Sequence, residues 1–252
     1  MFDSCVHVKQ NNLDYLKKIS NKIKSYNIGN ALCMFDNEKN KKDREVFYYN
    51  CLKTNNLIPV AFIKKSTNLK NEIRNIVNLG FNFIKFHPRN LNLKIGNDFY
   101  IKAFKLINKT KLKIMWCTFD GWSTHKISEA NQIEFLSKLI NLIDDNKIIL
   151  MHSGGPNILK YYEKFRFVEN VYFDLSYTLT HYQNTSVEKD IIFLFKNFDK
   201  RLICGSDFPT FDFSVHHKIL NRILKKSKIS KNKILNITSH NLKKINENLY
   251  KK

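Results

Sequence analysis

Short apolar runs alternate with amphipathic stretches along the whole chain. Eight apolar runs predict strands, at Met1–Val8, Asn30–Phe35, Leu57–Lys64, Phe81–His87, Lys113–Thr118, Ile148–His152, Val171–Leu175 and Arg201–Gly205. Between them, apolar residues recur at every third or fourth position, a spacing that is typical of helices packed on one face. This spacing predicts helices over Leu13–Ile23 and Ile133–Ile143. Further helices are predicted near Lys42–Lys53, Leu69–Leu79, Asp98–Ile107, Asn157–Phe165, Val187–Phe198 and Ser214–Leu224, the last followed by a C-terminal helix.

The alternation of strands with helices predicts an α/β fold. Strands that alternate with helices of this length form βαβ units and a parallel sheet. The strands are nearly continuous in hydrophobicity, as expected when both faces are buried. Eight such units predict a (β/α)₈ barrel, the TIM-barrel fold, as a single domain over residues 1–252. An open doubly wound sheet remains the alternative, although no glycine-rich phosphate loop follows the first strand.

Length and composition are consistent with a single globular domain. The chain has 252 residues and 43% hydrophobic residues, and about 250 residues is the usual size of such a barrel. The net charge of +21 comes mostly from lysines spread along the chain, whereas a nucleic-acid footprint is clustered on one face. We therefore expect no nucleic-acid partner. The cysteines show no disulfide pattern: they are Cys5, Cys33, Cys51, Cys117 and Cys204.

The same observations set expectations about location and assembly. The chain lacks the charged and apolar regions of a secretory signal at its N-terminus, and no apolar run reaches the ~18 residues of a membrane span. We therefore expect a cytoplasmic protein with reduced thiols and no membrane partner. A homo-oligomer stays open.

Chemically reactive residues stand at the predicted strand ends, where barrel enzymes place their active sites. They are Cys5, His7, Lys85, His87, Cys117, His152 and Asp207. Because side chains alternate along a strand, Cys5 and His7 share one face, and so do Lys85 and His87. His, Cys and Asp together form a ligand set for zinc. Singly, each has an ordinary explanation; Asp207, for example, is a candidate helix cap.

Six segments carry a resemblance to a known family: Phe2–His7, Gly80–Pro88, Ile149–Pro156, Asn170–Ser176, Arg201–Pro209 and Asn241–Ile245. They resemble segments of amidohydrolase-related proteins, the amidohydrolase family 2-like branch of TIM-barrel metal-dependent hydrolases. The likeness runs in order along nearly the whole chain, and the sixth and eighth strands carry its most specific motifs.

The resemblance implies a set of roles. A divalent metal, for which zinc is the candidate, would have as ligands Cys5, His7, Cys117 and Asp207, with His152 catalytic beside it. This sequence departs from the family in having Cys at positions 5 and 117, where the family has His. Three interpretations stay open: the thiolates bind zinc, the site is metal-free as in lactonase members of the superfamily, or catalysis has been lost.

The leading functional hypothesis is hydrolysis of a small polar or anionic substrate, such as a lactone or an amide. Asp207 would activate water and His152 would polarise the carbonyl group. Lys85, His87 and Arg89 would hold an anionic group of the substrate. The alternatives are a decarboxylase of the same branch and an inactive barrel that acts as a binding protein.

Three further features have weaker implications. A loop after the fifth strand carries Asp120, Trp122 and His125, which are candidates to cover the site. Tyr177 follows the seventh strand and is a candidate for the pocket wall. The pair His216 and His217 is expected on the surface.

Overall fold

Eight parallel strands form a barrel in the computed structural model, which describes residues 1–119 and 132–246. Neighbouring strands pair in sequence order from the first to the eighth. A β-bridge between Val6 and Phe208 then joins the first strand to the segment that follows the eighth strand. The strands are β1 Phe2–Val8, β2 Asn30–Phe35, β3 Leu57–Phe62, β4 Phe83–Phe86, β5 Lys113–Cys117, β6 Ile148–Met151, β7 Val171–Asp174 and β8 Leu202–Ile203.

Helices follow the strands and cover the outside of the barrel. They are α1 Leu13–Ser25, α2 Lys41–Leu52, α3 Leu69–Leu79, α4 Pro88–Leu91, α5 Asp98–Ile107, α6 Gln132–Ile140, α7 Ile158–Phe165, α8 Thr178–His181, α9 Ser186–Asn197, α10 Phe213–Ser227, α11 Lys231–Leu235 and α12 Asn241–Asn246. Short 3₁₀ turns cover His152–Asn157 and Asp199–Arg201, and a π-turn covers Asn236–His240. Across these ranges, no helix combines the length and the apolar character needed to cross a bilayer.

The alternation of side chains along each strand separates two hydrophobic cores. On β4, Phe83 belongs to a cluster inside the barrel, whereas Ile84 and Phe86 belong to the larger cluster between the strands and the helices. Phe86 stacks on Trp116 at a ring-centroid distance of 5.7 Å. Lys85 lies on the same face as Phe83, because side chains two apart on a strand point the same way. The strand therefore carries one lysine into the barrel interior, at the end where the site lies.

The contact between β8 and β1 closes the barrel and requires a residue without a Cβ atom. A Cβ on Gly205 would lie 2.8 Å from the Cys5 nitrogen and 2.9 Å from Asp3 Oδ1. The same Asp3 oxygen accepts hydrogen bonds from the backbone nitrogens of Cys5 at 2.9 Å and Ser206 at 3.0 Å. Gly205 and Asp3 thus bring the two strand ends together beneath the site.

The predicted TIM-barrel fold is confirmed. The strands are shorter than predicted at several ends; β6 ends at Met151 and β8 at Ile203, because the chain turns there to present side chains at the barrel mouth. The expectation that His216 lies on the surface is wrong. This side chain is 1% exposed and lies within 3.3 Å of the Thr180 hydroxyl, since α10 packs against α8.

Candidate active site

A cavity of ≈ 650 Å³ opens at the C-terminal end of the barrel. The residues that line it are His7, Asp36, Lys85, His87, Arg89, Asn90, Phe119, His152, Tyr177, Asp207, Pro209 and Thr210. A slightly larger cavity, of ≈ 770 Å³, lies at the opposite end of the barrel. Because TIM-barrel enzymes work from the C-terminal end, and the reactive side chains converge there, the first cavity is the candidate active site.

The first wall of the site is built by β1 and β4. The Nδ1 atom of His7 lies 2.5 Å from Asp36 Oδ1, and its Nε2 atom lies 3.0 Å from Lys85 Nζ. Burial and the lysine charge lower the pKa of His7, outweighing Asp36, so the ring is neutral. The proton then lies on Nδ1, facing the carboxylate, and Nε2 accepts a hydrogen bond from Lys85.

Lys85 is almost fully buried, yet it is surrounded by acceptors. Its amino group lies 3.2 Å from Met34 Sδ and 3.8 Å from Cys5 Sγ. Burial lowers the pKa of Lys85, but nearby Cys5, Cys117, Asp207 and Asp36 outweigh burial and raise it. Lys85 is therefore an ammonium ion at neutral pH.

His152 lies at the start of the turn that follows β6. Its backbone nitrogen donates to Asp174 Oδ2 at 3.1 Å, and its Nδ1 atom lies 2.9 Å from the Ser176 carbonyl oxygen. Nδ1 therefore donates to that carbonyl, and Nε2 points towards the cavity. The backbone of His152 has φ of 63°, a left-handed conformation that is uncommon for a residue other than glycine.

Asp207 faces His152 across the cavity. The distance from His152 Nε2 to Asp207 Oδ1 is 4.0 Å, which is too long for a direct hydrogen bond. Cys5 Sγ donates to the same oxygen at 3.2 Å. Burial raises the pKa of Asp207, but the nearby charges of His152 and Lys85 outweigh burial and lower it, so this residue is a carboxylate.

The sequence also allowed Asp207 to cap the helix that follows it, but another residue is that cap. The cap of α10 is Asp212, whose side chain accepts a hydrogen bond from the backbone nitrogen of Ser214 at 3.0 Å. Asp207 lies five residues earlier and has φ of 59°, again in the left-handed region. The carboxylate of Asp207 thus faces the cavity rather than a helix end.

Cys117 lies at the end of β5, beneath two histidines. His87 and His152 lie close enough to its thiol to shift its pKa. Burial raises the pKa of Cys117, but His87 and His152 outweigh it and lower the pKa well below the usual thiol range. The pKa of His152 is raised to about 9: burial lowers it, but Cys117, Asp207 and Asp174 outweigh burial. The opposite shifts of the two pKa values favour a thiolate at Cys117 and an imidazolium at His152.

Three of the four predicted metal donors come together. Within the described ranges, Cys5, His7 and Asp207 offer ligand atoms that all lie within 4.8 Å of one another, and Cys117 is not part of this group. The donor types suit zinc. However, the Nε2 lone pair of His7 faces the Lys85 ammonium, and the pKa of the Cys5 thiol is raised well above its usual value, chiefly by burial. With Lys85 in this position, the residues do not fit a divalent ion.

Aromatic and basic residues form the outer wall. The Arg89 guanidinium lies 5.3 Å from the centre of the Phe119 ring, and its Nη2 atom is 3.4 Å from His87 Nε2. Tyr177 contacts Phe119 edge to face at 4.8 Å and His152 at 6.0 Å. The three basic residues that the sequence predicted for substrate binding, Lys85, His87 and Arg89, therefore line one cavity.

Sequence reasoning missed the residues that orient the reactive groups. Asp36 follows β2 and orients His7, and Asp174 at the end of β7 binds the backbone of His152. The sequence does carry a signal for both residues, because each is an acidic residue at the end of an apolar run. Asp174 ends the run of β7, and Asp36 directly follows that of β2. The predicted covering residues Asp120, Trp122 and His125 lie outside the described residues.

Comparison with solved structures places the chain among TIM barrels. An uncharacterized TIM-barrel protein from Bordetella bronchiseptica matches with a TM-score of 0.75 and 10% identity, over 98% of this chain and 99% of that one. A probable 2-pyrone-4,6-dicarboxylic acid hydrolase from Acinetobacter baumannii matches with a TM-score of 0.67 and 13% identity, over 97% and 98% of the two chains.

A match with a lower TM-score is named for a different class of substrate. An organophosphorus hydrolase from Deinococcus radiodurans matches with a TM-score of 0.55 and 12% identity, over 95% of this chain and 91% of that one. Neither a family profile nor a curated protein sequence matches the chain. At such low identities these structures are evidence for the fold alone, although hydrolases recur among them.

Proposed function

We propose that this chain is a hydrolase that cleaves a small anionic substrate at a lactone or amide bond. The observation that carries the proposal is the pairing of His152 and Asp207 across one cavity, at 4.0 Å. Each side chain is positioned by other groups, His152 by Ser176 and Asp207 by the Cys5 thiol. The two side chains are not hydrogen-bonded to each other, and both line the cavity in which a substrate and a water molecule would bind.

In this mechanism Asp207 is the general base. Its carboxylate takes a proton from a water molecule as the water oxygen forms a bond to the substrate carbonyl carbon. His152 donates a hydrogen bond from Nε2 to the carbonyl oxygen, where negative charge develops. The bond to the alcohol or amine leaving group then breaks, and the leaving group takes the proton held by Asp207. Atoms and charges balance without a further reactant.

The basic wall selects the substrate. Lys85, His87 and Arg89 line the same cavity as the reacting pair. A guanidinium binds a carboxylate in two-pronged geometry, and Arg89 stands at the outer edge, stacked on Phe119. We infer that the substrate carries a carboxylate on the side of the scissile bond that faces β4. The similar structure from Acinetobacter baumannii, a probable hydrolase of a dicarboxylic pyrone with citric acid bound, agrees with this chemistry.

The test is a screen of carboxylate-bearing lactones and amides with the purified protein, followed by Asp207→Asn on any substrate found. Removing a general base is expected to lower kcat by about 10²–10⁴-fold. The matched control is Asp212→Asn. Position 212 does not line the cavity, and an Asn there still caps α10, so this variant is expected to keep wild-type turnover.

Two results would contradict the proposal. One is an Asp207→Asn variant that keeps both its fold and its full turnover. The other is a screen in which wild-type protein hydrolyses no member of either substrate class. Circular dichroism of each variant separates loss of chemistry from loss of structure.

A further inference from the structure

The cluster of Cys5, His7 and Asp207 has the composition of a zinc site but already contains a positive charge. The Lys85 amino group lies 3.0 Å from His7 Nε2 and 3.8 Å from Cys5 Sγ. Lys85 reaches this position from β4, on the opposite side of the cluster from the β8 end that carries Asp207. Its side chain is 1% exposed and lines the bottom of the cavity, where its amino group contacts the cluster.

The hydrogen-bond partners of His7 and Cys5 explain why the Lys85 ammonium is stable within this cluster. Asp36 holds the Nδ1 proton of His7, so the Nε2 lone pair points at Lys85. This carboxylate–histidine arrangement is the one that usually directs an imidazole at a metal ion. The Cys5 thiol donates to Asp207 Oδ1 at 3.2 Å. One ammonium and one carboxylate therefore balance each other within the cluster.

A divalent ion would disturb that balance. It would bring two further positive charges within a few ångströms of a buried ammonium, and like charges at such distances repel strongly where water is excluded. The Met34 sulfur and the Phe62 ring, 3.2 Å and 5.9 Å from the amino group, form apolar but polarizable surroundings that accept one cation. They are poor ligands for a second.

We propose that the Lys85 ammonium takes the place of a catalytic metal ion in this chain, and that it blocks a latent zinc site formed by Cys5, His7 and Asp207. The inference rests on the geometry of these four side chains and does not depend on the substrate or the reaction. It predicts that removing the lysine charge creates a metal-binding protein.

The test is the zinc content of purified variants after equilibration with zinc and gel filtration, measured by elemental analysis. Wild-type protein and the charge-preserving Lys85→Arg variant are expected to retain almost no zinc. Lys85→Met keeps the side-chain length without the charge, and is expected to retain about one zinc ion per chain, with an affinity at least ~100-fold above wild type. Adding Cys5→Ser to Lys85→Met is expected to abolish that zinc.

Cobalt supplies a second readout that does not depend on activity. A cobalt–thiolate charge-transfer band is expected in Lys85→Met and absent from both wild type and the variant that also carries Cys5→Ser. Lys85→Gln replaces Lys85→Met if circular dichroism shows that the latter does not fold.

Two outcomes overturn the inference. One is wild-type protein that binds zinc stoichiometrically and loses it with Cys5→Ser. The other is a folded, charge-free variant at position 85 that binds no more zinc than wild type. Failure of the proposed hydrolase activity would leave either result unchanged, so the two proposals fail separately.

Discussion

The charge state of His152 can be tested by removing the carboxylate that faces it. Asp207→Asn deletes a negative charge 4.0 Å from His152 Nε2. Coulomb's law at this distance, with an effective dielectric constant of about 20, gives about 4 kcal/mol as an upper bound. The contribution of Cys117 to the raised pKa of His152 is larger than that of Asp207. We therefore expect Asp207→Asn to lower the pKa of His152 from about 9 by ~1 unit, or ~1.4 kcal/mol.

Cys117→Ser is expected to lower the same pKa further, towards the ordinary value of 6.5, because it removes the anion that makes the larger contribution. The assay is proton NMR of protein labelled at the imidazole carbons, titrated from about pH 5 to 10. The chain has eight histidines, and the His152 signal is the one missing from His152→Gln.

The reasoning is refuted if His152 of wild-type protein titrates at or below 6.5. It is equally refuted if neither Asp207→Asn nor Cys117→Ser moves the pKa. Asp212→Asn, a change of the same kind on the partly exposed cap of α10, is the control that should leave the titration unchanged.

Two further predictions concern stability. Burial raises the pKa of Glu188, but its bonds to Lys226 and Arg222 outweigh burial and lower the pKa to about 2. Its stabilising contribution is therefore present above about pH 4.5 and is lost as the pH falls towards 2. Glu188→Gln should therefore cost about 1–2 kcal/mol at pH 7 in urea unfolding, after allowance for the exposed partners, and should flatten the pH dependence in that window; an unchanged profile would contradict the assignment. Gly205→Ala should cost about 1–3 kcal/mol, because its Cβ would lie 2.8 Å from the Cys5 nitrogen, and a variant as stable as wild type would show that β1 can move aside.

The fold was predictable because its signal is repeated along the chain. Eight apolar runs separated by helical patterns leave few arrangements that bury every strand on both faces. The same signal located the strand ends to within a few residues. Lys85 differs from the other residues of its apolar run because it is charged. It lies two residues after Phe83, which packs inside the barrel, so its side chain points into the barrel as well.

The arrangement within the site could not be predicted because it depends on distant partners and on turns. His7 is oriented by Asp36, 29 residues away, and His152 by Asp174, 22 residues away. Nothing in the sequence separates Cys117 from the other predicted donors. In the barrel, β5 lies between β4 and β6, so the Cys117 thiol is near His87 and His152 rather than beside Cys5.

The backbone at the two reactive residues bears on the choice between a hydrolase and an inert barrel. His152 and Asp207 both have φ near 60°, and such conformations cost a residue with a Cβ atom of order 1–3 kcal/mol. The backbone nitrogen of His152 donates to Asp174, and the backbone oxygen of Asp207 accepts a hydrogen bond from the Thr210 nitrogen. Glycine adopts this backbone conformation without that cost. Strained backbone is found preferentially at active sites, and two such turns that place an imidazole and a carboxylate on one cavity support the proposed hydrolase.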